Sequence, residues 1–579
     1  MIRRAGVVAV LFAFRLFAFS PALAQTETQN LEAGATTPSD KVDQLLAAWD
    51  RPGSPGLAVA VVKDGQIVHA RGYGQSNLEL GTPITPQSVF YLGSVSKQFV
   101  AMAIALLEQQ GKLSVDDNIR KYVPELPDYG SPITIRHLIH HTSGIRDYLE
   151  LMGLAGLELG YFHEDQGVIE LLARQRALNF EPGDQYLYSN SGYLLLAVIV
   201  ERASGQSLKQ YAQEQIFDPL GMENTHFHDD YQHLIVNRAS SYFPGEGGYR
   251  NFLTTFDRVG SGGVFSNVED LFLWDQNFFH HRVGGSDVVE RLHERGERNS
   301  GRQISYAFGL VIGEYRGLRV VDHGGALGGY RSDLIRFPDQ DFSVIILANL
   351  SSINAGALAR RVADIYLTDE LELLEPAAVE RPAAADSART RAARDQLRRR
   401  IVSMDPAIYA DYVGDYEIRP GLIVAVSVEE DRLMAQATGQ PSVELLPESE
   451  SRFFLAEEDV EVEFQRDESG SVYRILIYEG AQETAARRIE LEPVTPDMLE
   501  EYEGGYYSEE LDVTYKISSE DNRLLLRLRY ESPTSLSVER KDVAVGNVGT
   551  LLFERDEEDR VTGFSLSSGR VRNVKFERS

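Results

Sequence analysis

Gly93-Ser94-Val95-Ser96-Lys97-Gln98-Phe99-Val100 marks a change of pattern, from alternating strand character before it to helical spacing after it. From Ser94 to Gln110, Phe99, Ala103, Leu106 and Leu107 fall on one side of a helix, and Gly111 supplies the stop. Upstream, Leu57-Ala58-Val59-Ala60-Val61-Val62 and Ile67-Val68-His69-Ala70 flank the turn Lys63-Asp64-Gly65-Gln66 and read as a hairpin. Residues 25–45 are polar and read as flexible. From about 113 to 275 the chain reads as helix and loop, punctuated by Pro124, Pro127, Pro132 and Pro182. Strand character returns at Leu318–Val321, Ser332–Phe337 and Phe342–Ala348, and Ala355–Tyr366 reads as a closing helix. Strands contributed by both ends, with helices between, predict an α/β (α+β) domain whose antiparallel sheet is flanked by helices.

At 579 residues the chain is too long for one core. Its formal charge of -30 argues against nucleic-acid and anionic-membrane partners, whose phosphates would be repelled. Residues 1–24 read as a secretory signal, with basic Arg3 and Arg4, an apolar run from Ala5 to Phe19, and a small-residue cleavage site at Ala22-Leu23-Ala24. Removing Arg3, Arg4 and Arg15 with it takes the charge from -30 to -33. Arg15 interrupts the apolar run, so a permanent spanning helix is disfavoured. With zero cysteines there is neither a disulfide nor a lipid-modified cysteine. A periplasmic or secreted protein without membrane attachment after cleavage is the expectation.

The first domain is expected over 40–368 and a linker over 369–403, where Glu375-Pro376-Ala377-Ala378 and Arg381-Pro382-Ala383 stand, with Arg389–Arg400 a candidate exposed helix. Beyond it the sequence repeats. Tyr412-Val413-Gly414-Asp415-Tyr416 returns as Tyr502-Glu503-Gly504-Gly505-Tyr506, Asp431-Arg432-Leu433 as Asp521-Asn522-Arg523-Leu524, and Phe464-Gln465-Arg466-Asp467 as Phe553-Glu554-Arg555-Asp556. The offsets are 90, 90 and 89 residues. Two small all-β barrel-like modules, 404–490 and 491–579, follow from that constancy.

Three motifs of the first domain carry reactive groups. Ser94 and Lys97 are three apart at the start of a helix, so the amine can reach the hydroxyl, while the helix field and burial lower the lysine's proton affinity. Tyr188-Ser189-Asn190 precedes a helix at Tyr193–Ala203. Tyr188 and Asn190, two apart, can face one cavity and there move a proton and bond the lysine and a substrate carbonyl. His323-Gly324-Gly325-Ala326 follows the apolar Val320-Val321. Its glycines leave room for a substrate backbone, and the N–H groups of Ser94 and Ala326 can form an oxyanion hole. Each motif alone has an ordinary structural reading: a helix cap, a buried tyrosine with a capping asparagine, a turn. Their order is what points to acyl transfer through a serine ester.

Together the motifs resemble those of the serine β-lactamase and penicillin-binding-protein-like hydrolases, in the branch of class C β-lactamases, D,D-peptidases, D-aminopeptidases and esterases. Ile133-Thr134-Ile135-Arg136-His137-Leu138-Ile139-His140-His141-Thr142-Ser143-Gly144 and Ser261-Gly262-Gly263-Val264-Phe265-Ser266 support the resemblance, which spans about residues 40–367. It implies Ser94 as nucleophile, Lys97 and Tyr188 as the base system, and Asn190, His323 and Gly325 as substrate-binding residues. It also places His137, His140 and His141 in a packed helix rather than around a metal. Where the branch's β-lactamases carry a lysine, His323 stands, largely neutral at neutral pH. That favours substrates lacking the antibiotic's carboxylate.

The expected activity is hydrolysis of small peptides or amides, D-amino-acid peptides included, or small esters, without metal or cofactor. Alternatives are a carboxylesterase, a β-lactamase or D,D-carboxypeptidase, and an inactive scaffold that keeps the fold. The partner is a small-molecule or peptide substrate; the oligomeric state is left open.

Overall fold

The computed structural model describes residues 37–159, 161, 165–253, 255–371, 402 and 404–579, apart from 420–421, 439–441, 456–459, 480–481, 491–494, 521–522 and 529–531. The signal segment and nearly all of the linker, including 389–400, lie outside the described residues. The chain forms two compact units. One comprises residues up to Leu373 together with Gly569–Arg572, the other Leu374–Ser568 with Asn573–Ser579.

In the first unit, helix α1 (Pro38–Leu46) precedes strands β1 (Leu57–Lys63) and β2 (Gln66–Tyr73). Helices α2 (Lys97–Gln109), α3 (Asn190–Ser204) and α4 (Val268–His280) follow, then strands β3 (Val311–Tyr315), β4 (Leu318–Leu327), β5 (Tyr330–Phe337) and β6 (Phe342–Ala348), and helix α5 (Ala355–Tyr366). The sheet order is β3-β4-β5-β6-β1-β2, and the pairings β1–β2, β1–β6, β3–β4, β4–β5 and β5–β6 are all antiparallel. Leu57, Val59 and Val61 of β1 pack with Val344 and Ile346 of β6 and with Leu358, Ala359 and Val362 of α5. With a period of two, Ala58, Ala60 and Val62 face the opposite side, where α4 lies. Burial on both faces explains the unbroken apolar run that stood out in the sequence.

Three expectations change. The end of the 25–45 stretch read as flexible folds into α1: Thr37 caps it reciprocally with Asp40, Pro38 occupies the first turn, and only Val42 and Leu46 are buried. Ser94 does not sit on the α-helix but in a 3₁₀ turn, Gly93–Ser96, ahead of it. In the tighter turn residues three apart eclipse, which stacks Ser94 under Lys97 more directly than an α-helix would. Strand β4 also runs through His323-Gly324-Gly325-Ala326 rather than ending before it, pairing Gly325 with Ser332 and Ala326 with Arg331.

In the second unit, nine strands between Gly414 and Ile489 form one sheet, and eight strands between Gly504 and Arg578 close into a barrel. The repeat is physical. Tyr416 Oη donates to the Tyr412 carbonyl at 2.8 Å, and Tyr506 Oη to the Tyr502 carbonyl at 2.8 Å. The Tyr412 ring lies 4.4 Å from Phe464, and the Tyr502 ring 4.3 Å from Phe553.

Candidate active site

The site begins with two glycines that bring main chain against main chain. A Cβ on Gly93, whose φ is +55°, would lie 2.4 Å from the Ala326 nitrogen; one on Gly325 would lie 2.0 Å from the Leu92 oxygen and 2.9 Å from the Ser94 nitrogen. Neither position has room for a side chain, so β4 and the 3₁₀ turn meet directly, and Ser332 Oγ fastens them by donating to the Leu92 carbonyl at 2.6 Å. The Ser94 and Ala326 amides are thereby neighbours, as an oxyanion hole requires.

Lys97 is fully buried. Its Nζ lies 3.1 Å from Ser94 Oγ, 3.0 Å from Asn190 Oδ1 and 2.6 Å from the Ser261 carbonyl. Burial, followed by the charge of Arg570, holds its proton affinity well below that of an ordinary lysine, with Asp147 opposing. A neutral amine has two N–H bonds and one lone pair. Two carbonyl acceptors take the former, which leaves the lone pair for the Ser94 hydroxyl proton.

Asn190 opens α3, and its amide is oriented by a residue the sequence reading missed. Asp147 Oδ2 accepts from the Asn190 backbone N–H at 2.7 Å and from Nδ2 at 3.0 Å. The same carboxylate caps the helix Tyr148–Leu154 through the Leu149 and Glu150 amides. Asp147 is fully buried and lies three residues past the quoted Thr142-Ser143-Gly144 turn, where its only sequence signal is that of a helix cap.

The second missed residue is Arg570, in the Gly569–Arg572 stretch of this unit. Its guanidinium lies 3.4 Å from Asp147 and 3.0 Å from Glu150, and 5.8 Å from the Tyr188 ring centre. Nothing in its sequence surroundings marks it.

The Tyr188 ring centre is 4.9 Å from Lys97 Nζ. Its hydroxyl is buried and, among the described residues, lacks a hydrogen bond of ordinary geometry, although it is close enough to Ser94 for that hydroxyl to favour its ionised form. Burial outweighs this and raises its proton affinity, so the phenol stays protonated. An orphaned buried hydroxyl beside a serine is the kind of exception to polar satisfaction that accompanies function.

His323 requires a correction. Its Nδ1 donates to the Gly324 carbonyl at 2.7 Å, so Nε2 accepts from Tyr306 Oη at 2.9 Å. Both ring nitrogens are used inside the protein, and the side chain has none to offer a substrate. Burial, and then Lys97, push its pKa down to about 4, so it is neutral as expected. What the motif leaves without side-chain cover is the backbone around Gly324 and Gly325. Among the described residues no three His, Asp or Glu side chains are grouped to hold a metal. Nor, among them, is any helix long and apolar enough to cross a membrane.

The family model described as Beta-lactamase matches residues 39–367. Penicillin-binding protein 4* of Bacillus subtilis (strain 168) is 32% identical over 447 residues, 74% of this chain and 94% of that protein. The chain belongs to the beta-lactamase family. It is therefore a serine-type hydrolase. Another member, a D-aminopeptidase of Brucella anthropi, is 27% identical over 542 residues, covering 90% of this chain and 95% of its own. The octameric penicillin-binding protein homologue from Pyrococcus abyssi shares the fold, with a TM-score of 0.51, 21% identity, and coverage of 85% of this chain and 98% of that one. Residues 398–493 match a second family model, a domain of unknown function (DUF3471).

Proposed function

We propose that the protein hydrolyses small peptides or amides, D-aminoacyl compounds among them, through an acyl-enzyme on Ser94. The observation that carries this is the bonding of the Lys97 amine, whose two carbonyl acceptors aim its lone pair at Ser94 Oγ. Lys97 takes the Ser94 proton as Oγ bonds the substrate carbonyl carbon. The Ser94 and Ala326 N–H groups hold the resulting oxyanion. The protonated Tyr188 gives its proton to the leaving amine as the C–N bond breaks, and is recharged from Lys97. Water then releases the acyl group by the reverse path.

The neutral, internally bonded His323 supports substrates that need no fixed cation at the third motif, and the D-aminopeptidase relative supports the D-aminoacyl class. A penicillin-acylated enzyme is a second reading, supported by the name of the Bacillus subtilis relative. The amino-terminal segment supports export to the periplasm or medium.

The test is a panel of D- and L-aminoacyl anilides, short acyl esters and a chromogenic cephalosporin, run beside fluorophosphonate labelling. D-Aminoacyl anilides are expected to give the largest kcat/KM, with labelling abolished in Ser94→Ala. Equal labelling of that variant would refute the assignment of the nucleophile. A cephalosporin turned over faster than every anilide would favour the second reading.

A further inference from the structure

His141, the second residue of the His-His-Thr-Ser-Gly segment, has no part in the steps above, yet it holds Tyr188 from both sides. Its backbone carbonyl accepts the Leu187 N–H at 3.0 Å, and its Nδ1 accepts the Ser189 N–H at 3.1 Å. The phenol-bearing residue lies between these two anchors. The imidazole also stacks on the Tyr188 ring, with centres 4.2 Å apart and planes inclined by 36°. On its other sides are Tyr306, at 4.4 Å, and Tyr193, at 5.2 Å. Tyr306 in turn donates to His323. One ring thus touches the second motif directly and reaches the third through a single tyrosine.

The tautomer follows from the geometry. Nδ1 accepts, so the proton is on Nε2, which is buried and without a partner among the described residues. Protonating the ring would turn Nδ1 into a donor facing the Ser189 donor. Burial, with Lys97 and His323 adding to it, keeps the ring neutral. The backbone at His141 is left-handed, with φ of +57°, a conformation uncommon outside glycine that asparagine, aspartate and histidine adopt more readily than other side chains. The chain adopts it where it aims this ring at Tyr188.

We infer that His141 is a positioning residue for Tyr188, fixing through the Ser189 N–H and the ring stack where the phenol can deliver its proton. The inference rests on the reading that Tyr188 protonates the leaving group. It predicts a difference between substrates, because an anilide needs that proton and a p-nitrophenyl ester, which leaves as a stable phenolate, does not.

The experiment compares kcat on a matched anilide and p-nitrophenyl ester for wild type, Tyr188→Phe, His141→Phe, His141→Ala and His141→Asn, each per active site counted by fluorophosphonate titration. His141→Phe and His141→Ala remove the acceptor and are expected to lower the anilide-to-ester ratio about tenfold, with KM nearly constant. His141→Asn places an amide oxygen near the Nδ1 position and tolerates the left-handed backbone, so it should restore most of the ratio. A role confined to stability would lower the number of titratable sites and leave both kcat values, and so the ratio, alone. If Tyr188→Phe lowers the ratio while His141→Ala leaves it unchanged, the inference is wrong. If Tyr188→Phe itself leaves the ratio unchanged, the reading of Tyr188 fails instead. Should His141→Phe not fold, His141→Ala and His141→Asn still decide between these outcomes.

Discussion

Lys97 combines complete burial with three polar neighbours, and its charge state depends on the sum of nearby charges. Arg570 disfavours the ammonium form and Asp147 favours it. Arg570→Ala removes the first influence and leaves the second, so the proton affinity of Lys97 must rise. The base works as the free amine, which exists only above its pKa. The acid limb of kcat/KM is therefore expected to move to higher pH in Arg570→Ala, with a loss along that limb that shrinks as pH is raised. Arg570→Lys keeps the charge and should move the limb less. A pH–rate profile checks both, and an unmoved limb would mean that solvent screens Arg570 from the amine.

At the scale of elements, one charged pair ties a helix to the sheet beneath it. Asp275 of α4 meets Arg336 of β5 at 2.7 Å and Ser343 of β6 at 2.9 Å, with both charged side chains almost wholly inaccessible to water. The Arg336 guanidinium also lies 3.8 Å from the centre of the Phe278 ring. Asp275→Ala leaves a buried cation without its partner and is expected to cost about 3–5 kcal/mol in urea unfolding. Asp275→Leu combined with Arg336→Met should recover much of that, since removing both charges removes both desolvation costs.

This scale also shows what sequence could and could not disclose. The limits of α5 and β6 were legible to the residue, and those of β1 nearly so, because long apolar runs between turn residues leave few alternatives. The extension of β4 through Gly324 and Gly325 was not, since glycines read locally as a turn, and only the approach of Leu92 and Ser94 shows why they stand in a strand. The hairpin formed by Ser241–Gly245 and Gly248–Phe252 was hidden by Pro244 in its first strand and by the largely exposed second strand. Ser94, Lys97, Tyr188 and Asn190 could be found because they sit in ordered motifs. Asp147 and Arg570 could not, because their importance arises from a spatial encounter that leaves no local pattern.

Over the whole molecule the duplicated β modules repeat their interior bonds as well as their landmarks. Arg488 and Arg578, 90 residues apart, donate to the carbonyls of Val413 and Glu503, and to those of Val472 and Val561 at 3.2 and 3.1 Å. Each module thus keeps its own tyrosine–arginine clasp rather than sharing one. Tyr416→Phe and Tyr506→Phe each delete one buried hydroxyl donor and are expected to cost about 1 kcal/mol apiece. Since the two bonds have no atom or partner in common, the double variant should lose the sum to within roughly 0.5 kcal/mol. Urea midpoints of the two single variants and the double variant test this, and a double loss far from additive would reveal coupling between the copies.

The apposition of Gly93 and Gly325 has a consequence for how such an enzyme can diversify. Backbone atoms alone set the spacing between the attacking oxygen's turn and the strand that faces it, so no rotamer choice can widen or narrow it. Inheritable changes in substrate preference must then accumulate in the side chains around this contact, while these two columns of a saturation-mutagenesis map stay blank.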